Sequence, residues 1–134
     1  MARLLIDLRE VPIGLKILAV ANILLVVFAP ISNIGMLHLP NTARFFPYGR
    51  SFHIQLNIIE MMLFMVSAIG ILKLSRVFGQ AVGCIACAVG IFRIFIEYGE
   101  KGWFFYYVLI GAGWFFVLEF YLLAFTYRKK FQWA

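Results

Sequence analysis

The stretch HIQLNIIEMMLFMVSAIGILKL, residues 53–74, carries the two features that decide the fold of this chain. It is predominantly apolar over about 20 residues, the length that an α-helix needs to cross the hydrocarbon of a bilayer. Its few polar side chains recur three or four residues apart, so a helix places them on one face. We therefore interpret it as a membrane-spanning helix with one polar face.

Three other stretches have a similar length and composition. Together the predicted spans cover about residues 12–36, 54–74, 77–96 and 103–127. A mean hydropathy of +0.95, with 13% charged residues, lies outside the range of soluble domains. Because the links between the spans are short, we expect residues 1–134 to form a single membrane domain.

The short links also predict the arrangement of the spans. Residues 73–76 and 98–102 can join only antiparallel neighbours, so the chain is expected to be an all-α membrane protein, with four transmembrane helices in an up-down-up-down antiparallel bundle. Residues 1–10 mix charges with leucines and precede Pro12, which predicts a short amphipathic segment at the membrane interface.

The distribution of lysine and arginine predicts the orientation in the membrane. One end of the bundle holds eight of these residues and the other holds three; the eight are Arg3, Arg9, Lys16, Lys73, Arg76, Arg128, Lys129 and Lys130. The positive-inside rule then places both termini in the cytoplasm. The net charge of +6 is explained by anionic headgroups, so the bilayer is the expected partner and nucleic acid is not.

Two spans carry polar faces that should meet. In the second span the face consists of His53, Asn57, Glu60, Phe64 and Ser67, with Phe64 closing the floor beneath Glu60. In the third span a face of small residues ends in two charged ones: Gly79, Gly83, Ala86, Gly90, Arg93 and Glu97. Small residues permit close packing between membrane helices, so this face is expected to point into the bundle.

These faces predict one candidate ligand-binding cluster, open to the extracytoplasmic side. It comprises His53, Asn57, Glu60, Arg93 and Glu97, with an ion pair between Glu60 and Arg93 at its base. An ionisable group inside a span is costly and is a functional candidate by default. A buried pair can equally serve only to fix helix register, and both interpretations stay open.

A second intramembrane contact is predicted between Asn22 and Glu119. The two residues lie at similar depth in the first and fourth spans, so they could form a hydrogen bond with the acid in its neutral form. A contact with a neighbouring subunit is the alternative.

No metal site or cofactor is predicted. Cys84 and Cys87 form a C-x-x-C within a run of small residues in the third span, which favours packing over redox chemistry. Both histidines, His38 and His53, lie towards the opposite side, so they cannot complete a metal site with the cysteines.

The fourth span has more aromatic rings than one bundle can bury. The rings belong to Phe104, Phe105, Tyr106, Tyr107, Trp114, Phe115, Phe116, Phe120, Tyr121 and Phe125. Some of them must face lipid or protein, which indicates a homo-oligomer or a larger membrane complex.

Three stretches of the chain resemble a broad group of small four-span bacterial membrane proteins. They are VPIGLKILA at residues 11–19, SAIGILKLSR at residues 67–76, and the aromatic fourth span with its basic tail. The resemblance implies a protein of the bacterial inner (cytoplasmic) membrane. It does not imply any particular activity.

The pattern R-x-x-H-x-x-x-N-x-x-E over residues 50–60 resembles the second-span entry of the membrane-associated eicosanoid and glutathione metabolism family. Members are four-span proteins that bind glutathione as trimers. The resemblance implies that Arg50, Asn57, Glu60 and Arg93 hold glutathione. This chain departs from the family in the position of its histidine and in lacking an arginine-rich cytosolic loop.

We therefore expect a non-catalytic structural or accessory subunit, so an enzyme is the less favoured outcome. Two alternatives stay open. One is a glutathione-using membrane enzyme. The other is a small proton-coupled transporter that works as an oligomer, with Glu60 or Glu119 carrying the proton.

Overall fold

The computed structural model describes residues 9–38, 48–98, 107 and 109–132, without the side chains at positions 32, 36, 97, 98 and 109. The predicted amphipathic segment at residues 1–10 and the two links at the outer end therefore lie mostly outside the described residues. Glu97 lies in a described helix, but its side chain is outside the description.

The described residues form four helices, and the predicted all-α architecture is confirmed. The helices are α1 (Ile13–His38), α2 (Arg50–Leu72), α3 (a π-helical turn Arg76–Ala81 that continues into the α-helix Val82–Tyr98) and α4 (π-helical Leu109–Gly113, α-helical Trp114–Tyr121 and π-helical Leu122–Thr126). A short 3-10 helix, Arg128–Lys130, follows α4.

Three of the helices are long and apolar enough to cross a membrane. Their apolar segments are Ile13–Gly35, Arg50–Leu72 and Arg76–Ile96, of 23, 23 and 21 residues. The fourth apolar helix, Ile110–Thr126, is shorter, and at the helical rise it measures about 25 Å against a hydrocarbon thickness of about 30 Å. Most of the first turn of the predicted fourth span lies outside the described residues.

Residue pairs across the interfaces give the register of the helices. Each helix contacts the next one in the chain, and the contacts run in opposite directions along the two partners. The pairs are Asn33 with Asn57, Glu60 with Arg93, Gly70 with Gly79, Cys87 with Glu119 and Gly83 with Leu123. The α2–α3 and α3–α4 pairs are therefore antiparallel. The same holds for α1 and α2, because Asn33 contacts Asn57 near one end whereas Leu15 and Ile71 share an apolar cluster at the other.

The turn between α2 and α3 lies at one end of the bundle, which we call the inner end. Leu74 adopts a positive φ of 53° there, and the hydroxyl of Ser75 accepts a hydrogen bond from the backbone N–H of Phe78 at 3.1 Å. The C-terminal segment returns to this turn, where the N–H of Gln132 donates to the carbonyl of Leu74 at 2.7 Å. This backbone pairing joins two segments that are far apart in sequence.

An apolar cluster fills the inner end of the bundle. It consists of Val11, Leu15, Leu18, Ala19, Ile71, Leu74, Leu123 and Phe131, and all of these side chains are buried. The cluster brings α1 and α4 together, and the Tyr127 side chain packs directly over Gly14. The helices that begin and end the bundle are thus held together at its inner end.

The predicted seam of small residues on α3 faces the interior. Gly79, Gly83, Ala86 and Gly90 are all buried. A Cβ atom on Gly79 would lie 2.7 Å from the backbone carbonyl carbon of Gly70, so α2 and α3 approach each other backbone to backbone at this point. Such contact is possible only between residues without side chains.

Gly79→Ala is expected to destabilise the protein by about 1–3 kcal/mol, because the added methyl group must push the α2 backbone away. The measurement is equilibrium unfolding in mixed micelles. Gly35→Ala is the matched control, since nothing lies within 4 Å of a Cβ at Gly35 and alanine favours helix. Equal stability of the two variants would contradict the close contact.

Candidate functional site

The polar face of α2 is buried along its whole length. His53, Asn57, Glu60, Phe64 and Ser67 are each at most 6% exposed. The side chain of Ser67 donates to the carbonyl of Gly79 at 3.3 Å, at the inner end of the face. The periodicity of the sequence therefore identified the interior face of this helix correctly.

Glu60 and Arg93 form the predicted ion pair between α2 and α3. The Nε of Arg93 donates to one carboxylate oxygen of Glu60, and its Nη2 donates to the other at 3.3 Å. The side chains are only 17% and 7% exposed for Arg93 and Glu60 respectively. The contact is bidentate, which fixes the orientation of both groups as well as their separation.

Asn57 connects α2 to α1 one turn outward of this pair. Its amide nitrogen donates to the Asn33 side-chain oxygen at 2.7 Å and lies 3.5 Å from the carbonyl oxygen of Ala29. Asn33 was not among the residues predicted for the site. Its position near the predicted end of a span was the only available signal, and it did not identify a partner.

A cavity of about 170 Å³ lies against the ion pair. Its polar lining residues are Asn57, Glu60 and Arg93, and its apolar ones are Leu25, Val26, Phe28, Ala29, Met61 and Phe64. The volume is about tenfold more than the roughly 10–15 Å³ that one water molecule needs, so a small polar group fits. Phe64 lies below Glu60 in the lining, as the sequence predicted.

His53 does not line this cavity. Its imidazole is fully buried and packs edge-on against the ring of Phe52, with ring centroids 5.6 Å apart, and near Tyr48. It lies two turns from Glu60 along α2, towards the outer end. Of the five residues predicted for the cluster, the structure brings Asn57, Glu60 and Arg93 together in the cavity.

A second polar layer lies deeper in the bundle. Asn22, Cys87 and Glu119 are all 0% exposed, and the thiol of Cys87 donates to Glu119 Oε2 at 3.6 Å. Asn22 lies beside Glu119, as predicted, and its amide interacts with the carboxyl group, although the contact falls short of standard hydrogen-bond geometry. The sequence assigned Cys87 to packing and missed its polar contact.

Two stacked aromatic rings separate the polar layers. Phe64 of α2 and Phe116 of α4 have ring centroids 5.5 Å apart and an angle of 24° between their planes. Gly90 of α3 makes room for the second ring, since a Cβ there would lie 2.8 Å from Phe116. The stack closes the cavity towards the inner end.

Among the described residues no three His, Cys, Asp or Glu side chains lie together in a way that could hold a metal ion. No family model, curated protein or solved structure matches this chain. The resemblances to the four-span bacterial group and to the glutathione-using family remain predictions.

Arg93→Ala should lower the free energy of unfolding by about 3–5 kcal/mol, because it leaves the buried carboxylate of Glu60 without its partner. Adding Glu60→Ala should restore part of that loss, since the second change removes the uncompensated charge. The measurement is equilibrium unfolding of both single variants and the double variant. Strictly additive losses would show that the two groups are not coupled.

Asn22→Leu and Asn57→Leu should change stability in opposite directions. Leucine at position 22 removes a buried amide that makes no hydrogen bond of standard geometry and should stabilise the bundle by about 1–3 kcal/mol. Leucine at position 57 deletes the hydrogen bond to Asn33 and leaves its partly buried oxygen without this donor, so it should destabilise by a similar amount. Unfolding in mixed micelles gives both signs, and a loss of stability in Asn22→Leu would contradict this reading of the inner layer.

Proposed function

We propose that this chain is a small multi-span membrane protein that binds an uncharged polar group in the cavity beside Glu60 and Arg93, as a non-catalytic accessory subunit. The observation that carries the proposal is the bidentate pair facing a cavity. An ion pair whose only role was to fix the helix register could be covered completely by neighbouring side chains. The Glu60–Arg93 pair instead forms part of the cavity wall.

The charge of the site favours an uncharged ligand group. Glu60 and Arg93 neutralise each other, so a charged ligand would have to separate them inside a low-dielectric bundle. Both side chains line the cavity, and a guanidinium donates while a carboxylate accepts hydrogen bonds. We therefore expect hydroxyl or carbonyl groups in the cavity to bond to the intact pair.

The lining of the cavity supports a binding role over catalysis. Among the described residues that line it there is no serine, cysteine or histidine that could act as a nucleophile or general base. Glu60, the carboxylate in the lining, is already committed to Arg93. The glutathione-using alternative stays a prediction.

The positive-inside rule supports an orientation with both termini in the cytoplasm. The turn between α2 and α3, which carries Lys73 and Arg76, pairs with the C-terminal segment that follows the basic run Arg128–Lys130. These charges thus collect at the inner end. In that orientation all four helices would cross the membrane, and the cavity would lie in the extracytoplasmic half of the bundle.

Proton-coupled transport is the second candidate function. It is favoured by one observation, the fully buried Glu119 and Cys87 directly below the Phe64–Phe116 stack. An ionisable group at that depth is a common feature of proton pathways. Proton-driven uptake into proteoliposomes that Glu119→Gln abolishes would favour transport over binding alone.

The binding proposal is tested with 1-monobutyrin, a water-soluble ester with two hydroxyl groups and one carbonyl. In nanodiscs the side-chain Nε–H resonance of Arg93, assigned by comparison with Arg93→Lys, should shift saturably as the ester is added. Butyrate and butylamine, the charged controls of similar chain length, should need at least tenfold higher concentrations. No saturable shift with monobutyrin, or equal shifts with all three compounds, would refute the proposed site.

A further inference from the structure

An apolar groove on the outside of the bundle adjoins the cavity beside Glu60 and Arg93. The groove has a volume of about 300 Å³ and lies between α1 and α4, lined by Ala21, Leu24, Leu25, Phe28, Ala112, Phe115 and Phe116. Leu25 and Phe28 line both the groove and the cavity. The two spaces therefore lie side by side at these two side chains of α1.

The aromatic stack also lies between the two spaces. Phe64 lines the cavity and Phe116 lines the groove, and their rings are in contact. At the inner end the groove is bounded by the apolar cluster and by Tyr127 over Gly14, which hold α1 against α4. The first and last helices thus form the side walls of the groove.

The cavity and the groove together suit an amphiphilic ligand, which has a polar head and an apolar chain. The cavity offers Asn57, Glu60 and Arg93 at one end, while the described residues that line the groove are all aliphatic or aromatic. The cavity by itself is smaller than the roughly 300–1,000 Å³ of typical small-molecule sites, whereas cavity and groove together fall within that range. A polar head and one acyl chain match the two parts.

A second apolar groove on the bundle lacks this combination of a polar and an apolar lining. It lies between α3 and α4, has a volume of about 360 Å³ and is lined by Ile91, Phe95, Gly113, Trp114 and Val117. None of the described residues that line it also lines the cavity, and none of them is charged. Of the two grooves, the one between α1 and α4 shares lining residues with the cavity beside the ion pair.

We propose that this protein takes its ligand from the bilayer: a single-chain amphiphile with an uncharged head binds with its head at Glu60 and Arg93 and its acyl chain in the groove between α1 and α4. The inference rests on the proposed function of the cavity and adds the class of ligand to it. Leu24 and Leu25 are half exposed along the groove, so the chain can enter sideways without passing through water. An uncharged head leaves the buried pair intact on entry.

The test uses 1-monoolein and 1-monobutyrin, which have the same glycerol ester head and differ in acyl chain length. Each is added to nanodiscs, and the Arg93 Nε–H resonance reports occupation of the head site. Leu24→Trp fills the groove from an exposed position, so it should raise the half-saturating mole fraction of monoolein at least fivefold. The same variant should leave the half-saturating concentration of monobutyrin unchanged.

Two control variants isolate the groove. Leu118→Trp is the same substitution at a position of α4 that is 55% exposed and lines none of the described cavities, and Val117→Trp fills the α3–α4 groove instead. Both should leave monoolein binding unchanged. A fivefold loss in either control would show a general effect of tryptophan and would overturn the inference.

The remaining outcomes separate the two proposals. Monobutyrin binding together with monoolein binding that Leu24→Trp does not weaken would overturn the acyl-chain site and leave the proposed head site standing. Equal weakening of both esters by Leu24→Trp would also overturn it, because the variant would then act on the cavity. Failure of both esters to shift the resonance in the unchanged protein would refute the proposed function itself.

Discussion

Pairing of charges inside an apolar bundle is the constraint on which the rest of this structure depends. An unpaired carboxylate or guanidinium buried among apolar helices is costly, and Glu60 and Arg93 reduce that cost for each other. Their bidentate contact fixes α2 against α3 in one register. The backbone contact between Gly70 and Gly79 then brings the inner halves of the same two helices together. The α2–α3 interface is thus held by an ion pair towards its outer end and by a glycine–glycine backbone contact towards its inner end.

The interior alternates between polar and apolar layers along the bundle axis. Below the ion pair come the stacked rings of Phe64 and Phe116, then the layer of Asn22, Cys87 and Glu119, then the apolar inner cluster. Only the outermost of these polar layers lies against the cavity. This separation assigns different roles to the two ionisable sites: Glu60 and Arg93 can contact a ligand, whereas Glu119 is enclosed by helices.

Much of the fold could be predicted from the residues, because hydrophobic length and helical periodicity are local properties. The four apolar helices, the interior face of α2, the small-residue face of α3 and the Glu60–Arg93 pair all followed from spacing along the chain. Residue spacing was a poorer guide to the partners of the polar side chains. Asn33, the thiol contact of Cys87 and the displacement of His53 from the cavity depend on how neighbouring helices rotate and approach, which spacing within one helix does not determine.

The sequence by itself determined that this chain is built of apolar helices with a charged pair inside them, because residue type and period fix length, face and the need for a partner. Only the tertiary structure decided where open space remains. Leu15, Leu123 and Tyr127 hold α1 and α4 together at their inner ends, while a groove remains between the two helices further out. Space between helices is a property of their packing, and no single segment encodes it.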